Sequence, residues 1–413
     1  MHHPSPITRI TNYPFSIIFD LLYKPMKIIS VVGARPNFMK IAPFIRAVEK
    51  HNTTTPAGSQ APLPVKHLLV HTGQHYDDRM SKAFFEELGI PEADINLGVG
   101  SGTHAQQVGQ TMMAFEDVLQ SEKADWVIVV GDVNATLACS VTAKKEHVNC
   151  CHIEAGLRSG DMAMPEEINR LVTDRLSDLL LTPDTISGDN LRKEGVPEKK
   201  IRFVGNIMID TLEANRAKAE ALDLYEIFAK NSINDTYKGF DHTHLPPLAS
   251  MTLHRPSNVD HNKVLTPLTH LLLNEVCREL PLVWTVHPRT RKMLEEFGLW
   301  KDVSRNQNVI LLEPLSYLEM LKLNMQSKIM LTDSGGLQEE CTVLGTPCLT
   351  MRWNTERPVT LREYGGASVL VGNNIERIRS EFFDTLSRPR TPRRPEKWDG
   401  HTAERCLEEI LKG

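Results

Sequence analysis

The sequence predicts an α/β fold of two Rossmann-like, doubly wound domains that face each other across a cleft. From Met26 onward, short runs rich in β-branched residues alternate with amphipathic stretches of helical length. The short runs are apolar throughout, as is typical of parallel strands buried on both faces of a sheet. The alternation pauses over residues 222–247 and then resumes, and 413 residues exceed what one hydrophobic core usually holds. We therefore expect one parallel sheet on each side of the pause.

The first domain is predicted over residues 26–207. Its strands are expected at 27–32, 65–71, 125–130, 148–153 and 178–182. Amphipathic periodicity predicts its helices near 38–50, 79–88, 105–121, 136–147, 166–177 and 186–194. This alternation predicts a sheet with helices on both faces.

The second domain is predicted over residues 208–395. The polar stretch at 222–247 is interpreted as a linker helix followed by a loop that ends in two prolines. The strands that follow are expected at 248–253, 282–286, 309–312, 328–331, 347–350 and 368–371. A connector rich in Pro and Arg over 389–395 then leads to a short amphipathic helix at 402–411.

The remaining composition limits the partners and the compartment. Residues 1–25 are interpreted as an extension before the fold, and they lack the basic start and cleavage site of a signal peptide. The chain has no apolar run of the roughly 18 residues that a membrane span needs. A net charge of −5 without a long Lys/Arg block argues against nucleic acid or an anionic membrane as the main partner. Seven cysteines without CxxC spacing are expected to be buried free thiols in a reducing cytoplasm.

Three acidic residues follow the predicted strands or open the next helix in the first domain. Asp132 ends one strand, Glu154 ends the next, and Glu166 lies at the start of a following helix. Ligands of doubly wound sheets bind at the carboxyl ends of the strands, so these groups are expected to share one rim of the cleft. Neighbouring carboxylates raise one another's pKa, which allows one to act as an acid and another as a base. Each could instead be a helix cap or a surface ion pair, and no DxD or His-cluster spacing supports a metal.

Two loops have the composition of anion-binding sites. Arg35 follows Gly33 directly after the first strand, at the expected N-terminus of a helix. Ser334, Gly335 and Gly336 open another helix, where free backbone N–H groups can bind a pyrophosphate. Glu340, one to two turns further, could accept ribose hydroxyls. Neither loop reads GxGxxG, so no nicotinamide cofactor is expected, although a plain turn and a capping serine would also explain them.

The second domain carries basic residues at its own strand ends. His254 and Arg255 follow its first strand, and His287 follows its second. Two histidines in successive strand–helix turns indicate a phosphate clamp, which Arg357 in a later turn could complete. A lone histidine at such a position is often structural, so the signal depends on the pair.

Taken together, these motifs resemble the non-hydrolysing UDP-N-acetylglucosamine 2-epimerases over nearly all of residues 26–413. The matching motifs, in order, are GARPNFMKIAP, GD followed by HIEAGLRSGD, PEEINR, LHRPSNVD, TDSGGLQEE and NTERP. The resemblance implies the GT-B architecture, a homodimer, no cofactor, and a last helix within 396–413 that returns to the first domain. It implies catalytic roles for Asp132, Glu154, Glu166 and His254. It also implies UDP contacts for Arg35, His254, His287, Ser334, Gly335, Gly336 and Glu340, and Lys40 matches the family's basic residue near the start of the first helix. Arg255 and Arg357 are expected at the substrate from the phosphate clamp described above.

The chain also departs from the family's pattern. Many members carry a second, regulatory substrate site beside a QH motif, which Gln74 and His75 match here. Asp77 stands where glutamine often follows, and no arginine is present near Thr111. Allosteric activation by substrate is therefore left open.

The activity that this resemblance implies is inversion of C2 of UDP-N-acetylglucosamine to give UDP-N-acetylmannosamine. The implied route eliminates UDP to form 2-acetamidoglucal and then adds UDP back. The closest alternative is a 2-epimerase of a UDP-2,3-diacetamido sugar, because the UDP half of the site would be the same. A GT-B glycosyltransferase, a hydrolysing epimerase and a catalytically inactive nucleotide-sugar sensor remain further alternatives.

Overall fold

Two parallel sheets form the framework of the computed structural model, which describes residues 25–54, 64–73 and 87–413. The first sheet has the order β3-β2-β1-β4-β5-β6-β7 and the second β10-β9-β8-β11-β12-β13. The first comprises β1 Met26–Val32, β2 Val65–His71, β3 Ile95–Asn96, β4 Trp126–Val130, β5 Asn149–Ile153, β6 Leu179–Thr182 and β7 Ile201–Phe203. The second comprises β8 Leu248–Leu253, β9 Leu282–Val286, β10 Val309–Leu312, β11 Ser327–Thr332, β12 Cys348–Thr350 and β13 Ser368–Leu370. The predicted α/β class with two doubly wound sheets is confirmed.

Helices connect the strands on both faces of each sheet. Those around the first sheet are α1 Arg35–Thr54, α2 His104–Glu122, α3 Asn134–Lys145, α4 Pro165–Leu176, α5 Thr185–Lys193 and α6 Ile207–Glu220. Those that follow are α7 Leu224–Asn231, α8 Pro256–Val259, α9 Asn262–Leu271, α10 Cys277–Glu279, α11 Pro288–Glu296, α12 Trp300–Arg305, α13 Tyr317–Gln326, α14 Gly335–Leu344, α15 Ile375–Leu386 and α16 Thr402–Leu411. A π-helical turn, Leu272–Val276, joins α9 to α10. The predicted helix near 79–88 lies almost wholly outside the described residues.

The last helix lies against the first sheet's helices. The buried side chains of Cys406, Leu407 and Ile410 belong to the same hydrophobic core as β1 and α1. Asp210 on α6 accepts hydrogen bonds from the backbone N–H groups of Thr402 and Ala403, which satisfies the N-terminus of α16. The chain therefore crosses from the first sheet to the second and back again.

Strand composition explains how the sheets bring polar groups to one place. Every residue of β4, β9 and β10 is buried. The polar residues of the site therefore lie in the turns that follow the strands. The seven cysteines are buried free thiols, as expected. Across the described ranges, no helix is both long and apolar enough to cross a bilayer.

Candidate active site

A cleft of about 800 Å³ lies between the carboxyl ends of the two sheets. Its walls include most of the predicted site residues, namely Lys40, Asp132, Glu166, His254, Arg255, His287, Ser334, Gly335, Gly336, Glu340 and Arg357. Glu154 lies behind this surface and contacts two of the lining residues. The side chain of Arg35 and the residues Gln74 and His75 lie outside what the structure describes. The sheets therefore bring the two separately predicted groups, carboxylates and cations, into one cavity.

Glu154 is held by cations from both sides of the cleft. It follows β5 with φ of 74°, a left-handed conformation that is uncommon for a residue other than glycine. One carboxylate oxygen accepts from Lys40 Nζ, and the other lies 3.0 Å from Arg357 Nη2. Burial alone would raise the pKa of Glu154, but Lys40 and Arg357 outweigh it and the pKa is lowered. Glu154 is therefore a carboxylate in this arrangement.

The turn before Asp132 depends on glycine. Gly131 has φ of 68°, and a Cβ there would lie 3.1 Å from Lys40 Nζ and 3.4 Å from Glu154 Oε2. The side chain of Asp132 pairs with Arg170 on α4, and Asn169 Nδ2 donates to its backbone carbonyl at 2.8 Å. Helix α4 thus fixes the position of Asp132.

Glu166 has a different environment from the other two acids. It lies in the first turn of α4, is exposed, and lines the cleft. The next residue, Glu167, turns the other way and is buried against Arg170 at 2.8 Å. Of the two adjacent glutamates, the first is therefore available to a ligand and the second supports Arg170.

His254 and His287 stand together on the opposite wall, with ring centroids 5.6 Å apart. His254 Nδ1 lies 2.8 Å from Asp333 Oδ1, and the backbone N–H of Arg255 donates to Asp333 Oδ2 at 2.8 Å. Burial would raise the pKa of Asp333, but these hydrogen bonds, above all from His254, lower it. Burial and the neighbouring His254 lower the pKa of His287. Asp333 orients His254 and leaves its other ring nitrogen for a ligand.

The glycines at the start of α14 leave the helix N-terminus open. A Cβ at Gly336 would meet no atom within 4 Å, whereas one at Gly335 would lie 2.9 Å from Arg357 Nη1. The hydroxyl of Ser334 does not cap the helix. Free N–H groups at such a start attract anions, so this part of the wall suits a phosphate.

Arg357 is surrounded by carboxylates. It lies 2.7 Å from Glu339 through Nε, and its two terminal nitrogens bind Glu356 and Glu154. In this arrangement the guanidinium is bound to acids, and its contact with UDP stays a prediction. Glu340, next to Glu339, is buried, and burial raises its pKa to about 7.

Several supporting residues were missed from the sequence. They are Asp333, Glu339, Glu356, His152 and Asp174. His152 is buried with Nδ1 at 2.6 Å from Asp174 and Nε2 at 2.9 Å from the carbonyl of Gly131. The quoted motifs contain four of the five, since Asp174 lies outside them. Glu339 and Glu356 line the cleft, but their pairing with Arg357 is set by side-chain directions that the sequence does not show. Within the described residues, no group of three His, Cys, Asp or Glu side chains could hold a metal ion.

A family model described as UDP-N-acetylglucosamine 2-epimerase matches residues 60–411. The chain belongs to the UDP-N-acetylglucosamine 2-epimerase family. This confirms the family that the motifs predict. The chain is 38% identical, over 94% of its length and 100% of the relative's, to the UDP-N-acetylglucosamine 2-epimerase of Methanocaldococcus jannaschii. It is 40% identical to the UDP-2,3-diacetamido-2,3-dideoxy-D-glucuronate 2-epimerase of Pseudomonas aeruginosa, over 84% of this chain and 88% of the relative.

Solved structures of family members have the same architecture. The M. jannaschii UDP-GlcNAc 2-epimerase in complex with UDP-GlcNAc and UDP matches with a TM-score of 0.80 at 37% identity, over 94% of this chain and 100% of that one. The Neisseria meningitidis enzyme bound to UDP-GlcNAc matches with a TM-score of 0.78 at 28% identity over the same shares. The two-sheet fold around the cleft is thus the fold of this epimerase family.

Proposed function

We propose that this protein is an isomerase that interconverts UDP-N-acetylglucosamine and UDP-N-acetylmannosamine by inverting C2. The observation that carries the proposal is the cleft itself. One wall presents the open start of α14 with His254 and Arg255, and the opposite wall presents Asp132 and Glu166. A diphosphate on the first wall would place the attached sugar against the second. The M. jannaschii relative, solved with UDP-GlcNAc and UDP, supports this choice of ligand.

The proposed route is elimination followed by addition. The C1–O bond breaks with its electron pair going to UDP, a carboxylate takes the C2 proton, and a C1–C2 double bond forms to give 2-acetamidoglucal. Loss of UDP makes the otherwise weakly acidic C2–H bond removable, and no oxidation is needed. UDP then returns to C1 while C2 receives a proton on the opposite face. Charge develops on the departing diphosphate, where prepositioned cations and helix N–H groups stabilise it most.

The environments of the three acids suggest different roles. Glu154 is buried, and Lys40 and Arg357 lower its pKa, which makes it a weaker base. Asp132 pairs with Arg170. Glu166 is exposed to the cleft. We assign Glu166 as the group that exchanges a proton at C2 on one face. Asp132, which lines the cleft, then serves the other face, and Glu154 behind it holds Lys40 and Arg357 in place.

The test is NMR of the purified protein with UDP-N-acetylglucosamine in D₂O, with no other reagent. We expect UDP-N-acetylmannosamine with deuterium at C2. Variants with impaired re-addition should release UDP and 2-acetamidoglucal. Product that keeps its original C2 hydrogen, without any released glycal from the variants, would rule out this route.

The relationship to the P. aeruginosa enzyme supports a second candidate, the 2-epimerisation of a UDP-2,3-diacetamido sugar acid. The two candidate substrates carry the same UDP group and differ at C3 and C6 of the sugar. Parallel measurement of kcat/KM on both UDP-sugars decides between them. A larger kcat/KM on the diacetamido sugar acid would make that compound the substrate.

We also propose that the enzyme works in the cytoplasm as a homodimer, without a metal or a cofactor. The resemblance to the family supports the dimer. Light scattering coupled to size exclusion measures the mass directly. A monomeric mass at micromolar concentration would contradict the dimer.

A further inference from the structure

Glu339 is an acid of the cleft to which the proposed mechanism assigns no role. It lies on α14 and is 1% exposed. Its Oε1 accepts from Arg357 Nε at 2.7 Å and from Asn206 Nδ2 at 2.9 Å. Asn206 Oδ1 accepts from the backbone N–H of Met208, so the amide must present its Nδ2 donor to Glu339. Both partners therefore address the same oxygen.

The other oxygen of Glu339 is buried and has no hydrogen-bond partner among the described residues. An ionised carboxylate oxygen without a donor is costly to bury, whereas a neutral hydroxyl in its place costs much less. Burial raises the pKa of Glu339, Arg357 lowers it and Glu154 raises it again, and the net direction is upward. Geometry and burial therefore both favour a proton on Oε2.

The proton on Glu339 determines the net charge of the ion pairs around it. Three buried cations, Lys40, Arg352 and Arg357, alternate with two carboxylates, Glu154 and Glu356, in a connected chain of ion pairs. With Glu339 neutral, this chain carries one net positive charge beside the cleft. With Glu339 ionised, it carries none.

Few other titratable groups approach this carboxyl. Glu340, the next residue on α14, is itself buried, and burial raises its pKa to about 7. From the helices that pack on α14, α13 brings Tyr317 close to Glu340, and α6 directs Asp210 towards the start of α16. The balance at Glu339 is therefore set mainly by Arg357, Glu154 and Lys40.

We propose that Glu339 is a positioning residue that works as a neutral carboxylic acid. It holds Arg357 against Glu154 through Oε1 and adds no negative charge to the anion site. Ionisation of Glu339 at high pH cancels the net positive charge and draws Arg357 away from Glu154. The effect on turnover rests on the proposed epimerase function, whereas the protonation state of Glu339 does not.

Two isosteric variants on the same guanidinium provide a matched test. E339Q replaces a neutral acid by a neutral amide, so turnover at neutral pH should stay close to wild type while the alkaline loss of activity moves to higher pH. E356Q removes a real negative charge, because Arg357 and Arg352 outweigh the burial of Glu356 and lower its pKa. E356Q should therefore lower turnover at least about tenfold at every pH, the scale of one charge-assisted hydrogen bond.

Infrared spectroscopy measures the proton without any turnover. The difference spectrum between wild type and E339Q near neutral pH should contain a protonated-carboxyl band that shifts on ¹³C labelling of glutamate. Absence of that band, or an E339Q profile whose acidic limb moves to lower pH, would show that Glu339 is ionised and overturn the proposal. A wild type that shows the band but no epimerisation would instead contradict the proposed function alone.

Discussion

Burial of Glu340 leads us to predict that both the stability of the fold and the binding of UDP depend on pH. The pKa of this carboxyl is raised from 4.5 to about 7, with burial as the largest cause. Between these values the folded protein binds more protons than the unfolded chain, so this group's contribution to stability is fully present below pH 4.5 and is lost as the pH rises through 7. A shift of this size corresponds to roughly 3 kcal/mol above pH 7.

The perturbation that isolates this contribution is Glu340→Gln. The variant should match wild type near pH 4 and become more stable than wild type above pH 7, by up to about 3 kcal/mol. Urea unfolding across this pH range measures the difference, and Glu363→Gln on the surface is the control. Parallel stability curves for Glu340→Gln and wild type over the whole range would refute the reasoning.

The same carboxyl is predicted to accept ribose hydroxyls. Hydroxyl donors favour its ionised form, so UDP binding at pH 6 should release a proton and tighten as the pH rises towards 7. Calorimetry in buffers of different ionisation enthalpy counts this proton. Glu340→Gln should bind more weakly and release none, and unchanged proton release in the variant would assign the proton to another group.

Three further predictions concern the cleft. Arg357→Met leaves buried carboxylates without their cation and should lower the free energy of unfolding in urea by about 3–5 kcal/mol. Arg291→Met, which removes an exposed ion pair, is the control and should cost less than about 1 kcal/mol. Equal losses in the two variants would contradict the role of the buried ion pairs. Asp132→Asn, Glu154→Gln and Glu166→Gln should each lower turnover at least about a hundredfold with little change in UDP affinity, and near-normal turnover in all three would make the acids structural. UDP binding measured by calorimetry should persist in EDTA, and its complete loss would indicate a metal.

The fold was predictable because its strands carry their own signal. Buried parallel strands need continuous apolar runs, and the predicted 65–71, 248–253, 282–286 and 309–312 coincide with β2, β8, β9 and β10. The missed strands β3 and β7 have two and three residues at the edges of the sheet. A segment of two or three residues is too short to show a hydrophobic pattern. It is recognised as a strand only by its pairing with the adjacent strand.

The site was predictable in composition and less so in contacts. Strand ends converge in any parallel sheet, so the positions of Asp132 and His254 followed from topology. The partners of Arg357 could not be predicted in this way, because Glu154 and Glu339 lie far from it in sequence. The sequence alone also does not show the direction of a side chain on a helix. A guanidinium predicted for phosphate therefore proved to be bound by acids in this structure.

The buried ion pairs suggest why the two halves of the site act together. Arg357 of the second half contacts Glu154 of the first, and Asn206 beside the first sheet contacts Glu339 of the second. Opening the cleft would break the hydrogen bond between Asn206 and Glu339 and the buried ion pair between Arg357 and Glu154. Loss of a buried ion pair is far costlier than loss of a surface pair. Arg357 also lies beside Gly335 at the start of α14, where we propose that the diphosphate binds. We therefore expect the negative charge of the departing UDP and the charge on Glu154 to influence each other through Arg357.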